Sequence, residues 1–151
     1  MAIEAPLSKY KKKNMLITMA ILIGVGIWFY YDANHNPKFI EKHTVDGVPD
    51  STLTFNLKSP PYLVGAGIVL GIYLFIIKGK KVVADDKTLN ISKETIAYEA
   101  IEKINKTNFD SKGYFIITYT AGEGQSRDIK ISDRTYDNLP AVLDHIVAKI
   151  S

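Results

Sequence analysis

The stretches MLITMAILIGVGIWFYY at residues 15–31 and YLVGAGIVLGIYLFII at residues 62–77 are uninterrupted apolar runs without a charged residue. A helix needs roughly 17 to 25 apolar residues to cross the hydrocarbon layer of a bilayer, so both runs lie at the short end of that range. The alternative, two buried helices of a soluble protein, would leave too little polar sequence to cover them. We therefore predict transmembrane helices at residues 15–31 and 61–77.

Lysines flank these runs on the sides that face the chain termini. The intervening segment, residues 32–60, instead mixes lysines with acidic residues. Because positively charged flanks stay in the cytoplasm, we expect both termini to be cytoplasmic in the inner membrane, with residues 32–60 on the far side. The flanking lysines are also candidate contacts for anionic lipid, although they could serve as topology signals alone. They are Lys9, Lys11, Lys12, Lys13, Lys78, Lys80 and Lys81.

The first run could also be read as a cleaved signal peptide, since a lysine-rich start followed by apolar residues fits that pattern. A cleavage site requires small residues after the apolar core, whereas this run ends in Trp28, Phe29, Tyr30 and Tyr31. We therefore expect an uncleaved anchor. The chain contains no cysteine, which excludes disulfides and thiolate chemistry.

Small residues recur at four-residue spacing in both runs and are the candidate helix-packing positions. Ala20 and Gly24 form one such pair, and Gly67 and Gly71 form the other. This spacing lets helix backbones approach closely in lipid, either within the hairpin or between copies of the chain. Neither run contains an ionisable side chain, so transport by this chain alone is not expected.

The segment between the runs is rich in turn-forming residues, and its second half alternates. Leu53, Phe55 and Leu57 would share one face of a strand at residues 51–58. His35 and His43 match no metal-binding motif, so we expect neither a metal nor a cofactor.

Residues 82–151 predict a small α+β domain with nine basic and eleven acidic residues, too few cations for a nucleic-acid partner. Residues 82–84 and 88–92 predict a hairpin, residues 96–109 an extended piece with a bulge or bend, and residues 114–120 and 127–132 two further strands. A 3.6-residue apolar period then predicts a C-terminal amphipathic helix with Pro140 in its first turn. Its apolar positions are Leu139, Val142, Leu143, Ile146, Val147 and Ile150.

The segments ETIAYEAIEKINKTNF (94–109), DSKGYFIITY (110–119) and DIKISDRTYDNLPAVLDHI (128–146) follow one another in a characteristic order. This antiparallel meander closed by a helix resembles the pleckstrin-homology-like (PH-like) domains of bacterial membrane proteins, in which a transmembrane helix or hairpin commonly precedes the domain. The resemblance implies seven strands, of which about five can be counted, so an abbreviated domain is expected. The first hairpin turn carries Asp85, Asp86 and a single Lys87, so phosphoinositide recognition is not implied.

No catalytic motif is present, and His145 has no identifiable partner for general-base chemistry. The predicted organisation is a basic N-terminus (1–14), a first helix (15–31), an extracytoplasmic loop (32–60), a second helix (61–77), a basic linker (78–81) and a PH-like domain (82–151). We expect a non-catalytic, membrane-anchored module that binds a protein, a peptide or the membrane surface. The alternative is an accessory subunit of a larger membrane complex, and an enzyme is the weakest hypothesis. Membrane lipids and either a protein partner or a second copy of the chain are the expected partners.

Overall fold

The computed structural model of the protein describes residues 1–151, which divide into two units. Residues 1–12 and 77–151 form one unit, called here the sheet domain, and residues 13–76 form the other, called the helical hairpin. The strands are β1 (Ile3–Pro6), β2 (Thr44–Val45), β3 (Val48–Pro49), β4 (Lys81–Ala84), β5 (Thr88–Ile91), β6 (Glu94–Ala97), β7 (Ile101–Asn105), β8 (Tyr114–Thr120) and β9 (Ser126–Ser132). The helices are α1 (Lys9–His35), α2 (Pro37–Lys42), α3 (Ser51–Lys58), α4 (Pro60–Ile77), α5 (Phe109–Lys112) and α6 (Leu139–Ile150).

Helices α1 and α4 are both long and apolar enough to cross a membrane. At a rise of 1.5 Å per residue, α4 is about 27 Å long and α1 is about 40 Å long, against a hydrocarbon thickness of about 30 Å. Only 6% of the most apolar 18-residue window of α1 is buried, and 17% of that of α4. Their apolar side chains are therefore mostly exposed, unlike those of a helix in a soluble core.

The segment between α1 and α4 contains helices where the sequence predicted a strand. Residues 51–58 form α3, so the predicted strand is wrong. Asp50 caps this helix, because its Oδ1 accepts the backbone N–H of Leu53 at 2.8 Å. Leu53 is then buried, whereas Phe55 and Leu57 are 58% and 44% exposed. In a helix these three apolar residues do not share one face, so the face predicted for the strand does not form.

The sheet domain consists of a four-stranded sheet in the order β1-β4-β5-β6 and a three-stranded sheet in the order β7-β8-β9. All pairs are antiparallel. The hairpin of β4 and β5, the strands β8 and β9, and the irregularity between Ile101 and Lys103 confirm the corresponding predictions. The domain has seven strands, so the expectation of about five is wrong. Phe109, predicted within an extended piece, instead begins the short helix α5.

The strand that sequence reasoning missed is β1, which lies in the segment predicted as a basic N-terminus. It pairs with β4 in the register Ile3↔Ala84 to Pro6↔Lys81. Ala5 is fully buried and Leu7 is 2% exposed, so this segment contributes to the domain core. Pro6 is tolerated because β1 is an edge strand, where a missing N–H does not interrupt the ladder.

The inner faces of the two sheets and one face of α6 form a single core. Alternate residues of β8, including Phe115 and Ile117, are fully buried, and so is Leu89 of β5. Helix α6 contacts β1, β4 and the turn at residues 98–100. Its buried residues are Leu139, Val142, Leu143 and Ile146, and Pro140 lies in its first turn, which confirms the predicted helix.

Candidate functional site

The apolar helices join the sheet domain through very short connections at two neighbouring strands. Strand β1 ends at Pro6 and α1 begins at Lys9, while α4 ends at Ile77 and β4 begins at Lys81. Between these strands, the backbone N–H of Leu7 donates to the carbonyl oxygen of Lys80 at 3.0 Å. The helical hairpin is therefore an insertion between two adjacent strands of the sheet domain.

The first turn of α1 is fixed to the sheet domain by two N-terminal caps. Ser8 is 1% exposed, and its Oγ accepts the backbone N–H of Tyr10 at 3.2 Å. The Oδ2 of Asp137 accepts the backbone N–H of Lys9 at 3.0 Å. A carboxylate at this position also favours the positive end of the helix dipole. Asp137 precedes α6, so the start of α1 is held by residues from both ends of the chain.

The predicted helix-packing residues occupy two different environments within the hairpin. A side chain at Gly67 would place its Cβ 2.6 Å from Ile23 Cγ1, and one at Gly71 would lie 2.9 Å from Met19 Sδ. These two glycines therefore lie at the contact with α1. Gly24 has no neighbour within 4 Å, and Ala20 is exposed.

A glycine that the spacing rule did not select, Gly26, also lies at the contact between the helices. A Cβ there would approach Val64 Cγ2 to 2.8 Å. Residues two apart on a helix differ by about 200° in direction, so Gly24 and Gly26 point to opposite sides. The positions Met19, Ile23 and Gly26, at spacings of four and three, are the face of α1 that packs on α4.

The seven candidate lipid-contacting lysines lie on both chain segments that connect the domain to the hairpin. Lys9, Lys11, Lys12 and Lys13 occupy the first turns of α1, where Lys11 and Lys12 are half-buried. Lys78 and Lys80 are exposed in the connection after α4. Lys81 begins β4, and its Nζ lies 2.5 Å from Glu4 Oε1, so its charge is matched by a carboxylate of β1.

No group of three His, Asp or Glu side chains is placed to hold a metal ion. His145 is half-buried, and its Nε2 lies 3.1 Å from the carbonyl oxygen of Asp85. His43 Nδ1 lies 2.8 Å from Asp50 Oδ2 in the segment between the helices. The Leu53 N–H and then His43 lower the pKa of Asp50, which is the effect expected of a helix-capping carboxylate. Both histidines therefore have a contact within the chain, His43 with a carboxylate and His145 with a backbone carbonyl.

A groove with apolar lining lies between β7 and α6 on the sheet domain, and we call it the β7–α6 groove. It has a volume of about 270 Å³. Strand β7 is an edge strand, so one side of its backbone has no strand partner. Ile150 at the end of α6 is 40% exposed. The apolar residues that line the groove are Ile101, Ile104, Val147 and Ile150.

Comparison with known proteins adds no assignment to this geometry. No protein-family model matches the sequence, and no curated protein or solved structure matches it at a significant level. The description of the fold, a four-stranded sheet, a three-stranded sheet and a closing helix, therefore rests on the structure of this chain alone. Sequence reasoning missed β1 and the β7–α6 groove, because both depend on pairing between distant segments.

Proposed function

We propose that this chain is a non-catalytic, membrane-anchored interaction module whose PH-like domain lies at the cytoplasmic face of the inner membrane and binds an extended peptide of a partner protein. The observation that carries the proposal is the insertion of an apolar helical hairpin between β1 and β4. The connections are two and three residues long, so only these few residues separate the domain from each apolar helix along the chain.

The proposed membrane anchoring is supported by the exposure of α1 and α4 and by the role of β1. Large apolar side chains such as Ile21, Val69 and Phe75 are 58%, 66% and 69% exposed, which would be unfavourable in water. Cleavage of α1 as a signal peptide would also remove β1 with its buried residues Ala5 and Leu7. An uncleaved hairpin keeps β1 attached to the rest of its sheet.

The proposed orientation places both connections, with their lysines, in the cytoplasm. Cysteines introduced separately at Ser51 and Ser126 test it, because the native chain has no cysteine. We expect a membrane-impermeant thiol reagent to label position 51 in intact cells and position 126 only after lysis. Labelling of position 126 with protection of position 51 would reverse the orientation.

The PH-like assignment is supported by the number and order of the elements. Seven antiparallel strands form sheets of four and three, and an amphipathic helix follows the last strand. In this interpretation the hairpin is inserted between the first and second strands of the domain.

The peptide is proposed to add to the free edge of β7 and to place an apolar side chain in the β7–α6 groove. Extended peptides bind exposed sheet edges through backbone hydrogen bonds, and adjacent pockets select their side chains. Besides its apolar residues, the groove is lined by Glu102, Lys103 and Lys106. The expected ligand is therefore an extended segment with one or two apolar residues among polar ones.

Selection of peptides from a random library against the full-length protein in mild detergent tests this function. We expect enrichment of such segments, and Ile150→Lys to weaken the binding of a selected peptide at least tenfold. Ala148→Lys is the matched control, because Ala148 is exposed on the same helix and does not line the groove. Equal loss in both variants, or no enrichment at all, would contradict peptide binding at this groove.

A second candidate function, an accessory subunit of a larger membrane complex, is favoured by the small residues on the other side of α1. Ala20 is exposed and Gly24 has no neighbour within 4 Å, so this face is free to pack against a further helix. Purification in mild detergent separates the two functions. A stoichiometric partner that Gly24→Leu releases would favour the subunit, and a monomer with bound peptide would favour the module.

A further inference from the structure

A small recess on the three-stranded side of the sheet domain collects positive charge, and we call it the cationic recess. Its volume is about 280 Å³. Three of its lining residues are cationic, the other three carry hydroxyl groups, and none is acidic. They are Lys112, Lys130, Arg134, Ser111, Ser132 and Tyr114.

The three cations come from separate elements and are not neutralised by carboxylates. Lys112 ends α5, Lys130 lies in β9, and Arg134 follows β9. The ion pairs of the structure involve other residues, so no carboxylate lies within 4.0 Å of these three groups. Lys130 Nζ lies 3.8 Å from the ring centroid of Tyr114 and is held toward the recess by that ring.

The turn geometry around the cationic recess is specified by Gly113. This residue has φ +69°, and a side chain there would collide with the carboxylate of Asp133. The backbone N–H of Asp133 donates to the carbonyl oxygen of Gly113 at 2.8 Å. The close approach of these two backbones places Lys112 and Arg134, the residues on either side, at one recess.

The cationic recess lies at the end of the domain where the chain enters α1. It shares Ser111, Lys112 and Arg134 with an adjoining cavity of about 670 Å³. That cavity is also lined by Tyr10, the second residue of α1, and by Asp110 and Asp133. The recess is thus close to the start of a helix that is apolar enough to enter a bilayer.

We propose that the cationic recess binds the phosphate of an anionic phospholipid head group, and that the adjoining cavity receives the hydroxyl groups of that head group. Arg and Lys form charge-assisted hydrogen bonds with phosphate oxygens, and the hydroxyls add further donors. The recess itself holds three cations and no carboxylate, which favours a lipid with a net negative charge over zwitterionic phosphatidylcholine. The carboxylates of Asp110 and Asp133 can accept hydrogen bonds from a glycerol head group. This site rests on the proposed membrane anchoring, and it is distinct from the β7–α6 groove.

Titration of the full-length protein in mild detergent with dioctanoyl-phosphatidylglycerol tests the site, with bound lipid counted by native mass spectrometry. A cation near anionic lipid contributes about 1 kcal/mol, so Lys112→Gln, Lys130→Gln and Arg134→Gln should each weaken binding about fivefold. The three together should weaken it about a hundredfold. The charge-matched control is the triple variant Lys87→Gln, Lys93→Gln and Arg127→Gln, which should bind as the native protein does. All six positions are exposed, so the fold is expected to tolerate them.

Three comparisons decide the result. Dioctanoyl-phosphatidylcholine should bind at least tenfold more weakly than the glycerol lipid, and inorganic phosphate should compete only weakly. Equal lipid binding by both triple variants would refute the site. If phosphate or a phosphorylated peptide binds as tightly as the lipid, the lipid is not the ligand of the site. Carbonate extraction of cell membranes tests the anchoring separately. If the protein resists extraction but shows no head-group preference, only the lipid site is refuted. If carbonate extracts the protein, the membrane anchoring is refuted as well.

Discussion

Removal of β1 is expected to destabilise the sheet domain far more than the removal of an N-terminal tail would. A fragment of residues 79–151 lacks β1, whereas a joined variant with Asn-Gly in place of residues 8–79 retains it. The two-residue link is suggested by the register, because Leu7 and Lys80 are hydrogen-bonded neighbours that continue the β1–β4 ladder. Asn-Gly is the preferred sequence for a two-residue hairpin turn.

The expected loss follows from what β1 buries. Leu7 is 2% exposed and Ala5 is fully buried, and removing them uncovers Val82 and Ala84 of β4, which are also fully buried. Burial of a leucine side chain contributes about 2 kcal/mol, and the alanine and the uncovered β4 residues bring the total to about 4–5 kcal/mol. A domain of this size has a total unfolding free energy of about 5–10 kcal/mol, so the fragment should retain about 6 kcal/mol at most.

Urea denaturation followed by circular dichroism measures the difference directly. The joined variant should unfold cooperatively, and the fragment should be largely unfolded or have a midpoint that is lower by well over 1 M, given slopes of about 1–3 kcal/mol per M. Ala5→Asp in the joined variant is the control for chain length, because it keeps every residue of β1 but disrupts the buried contact of Ala5. If the fragment and the joined variant unfold at the same urea concentration, β1 does not contribute to the core as argued.

Three further predictions concern other parts of the chain. Burial and then the neighbouring Asp85 raise the pKa of Tyr98 to about 12, so the domain should lose stability as pH rises from about 10 toward 12, and Tyr98→Phe should flatten that loss in urea titrations. Asp50→Ala should remove the α3 cap, cost about 1 kcal/mol and speed amide exchange in α3 about fivefold, whereas Asp50→Asn should not. Gly67→Leu should lower the melting temperature in detergent and Gly24→Leu should not, because only Gly67 faces the other helix of the hairpin; equal effects would contradict the observed packing.

The parts of the fold that the sequence predicted are those specified by local pattern. The apolar runs, the strands β8 and β9 and the amphipathic stripe of α6 each carry enough residues of one period to be recognised. At residues 51–58 the alternating pattern was misleading, because eight residues fit both periods and the cap at Asp50 selects the helix. A single contact of this kind can decide the secondary structure of a short segment, and the hydrophobic periodicity of the sequence does not reveal it.

The candidate sites depend on contacts that periodicity cannot provide. Gly67 and Gly71, which the four-residue spacing selected, lie at the contact with α1, whereas on α1 the rotation of the helix brings Gly26 to the contact and not Gly24. The cationic recess brings Lys112 of α5 next to Lys130 and Arg134, which lie 18 and 22 residues further along the chain. A uniform scatter of lysines and a convergent cluster have the same composition, so the sequence alone could not distinguish them.

The position of β1 also means that the sheet domain is interrupted by the two apolar helices and is not simply appended after them. A domain appended after two helices can be cut away at the linker and studied alone, whereas a domain interrupted by them cannot. Residues 3–6 gave no sign of this, because four residues that end in proline, next to a run of lysines, are typical of a disordered terminus. Their partner is β4, more than seventy residues away in sequence. Binding to the groove must therefore be measured on the full chain or on the joined variant, since residues 79–151 alone lack a strand of the sheet against which α6 packs. Binding to the recess must be measured on the full chain, because the joined variant also lacks Tyr10, which lines the adjoining cavity.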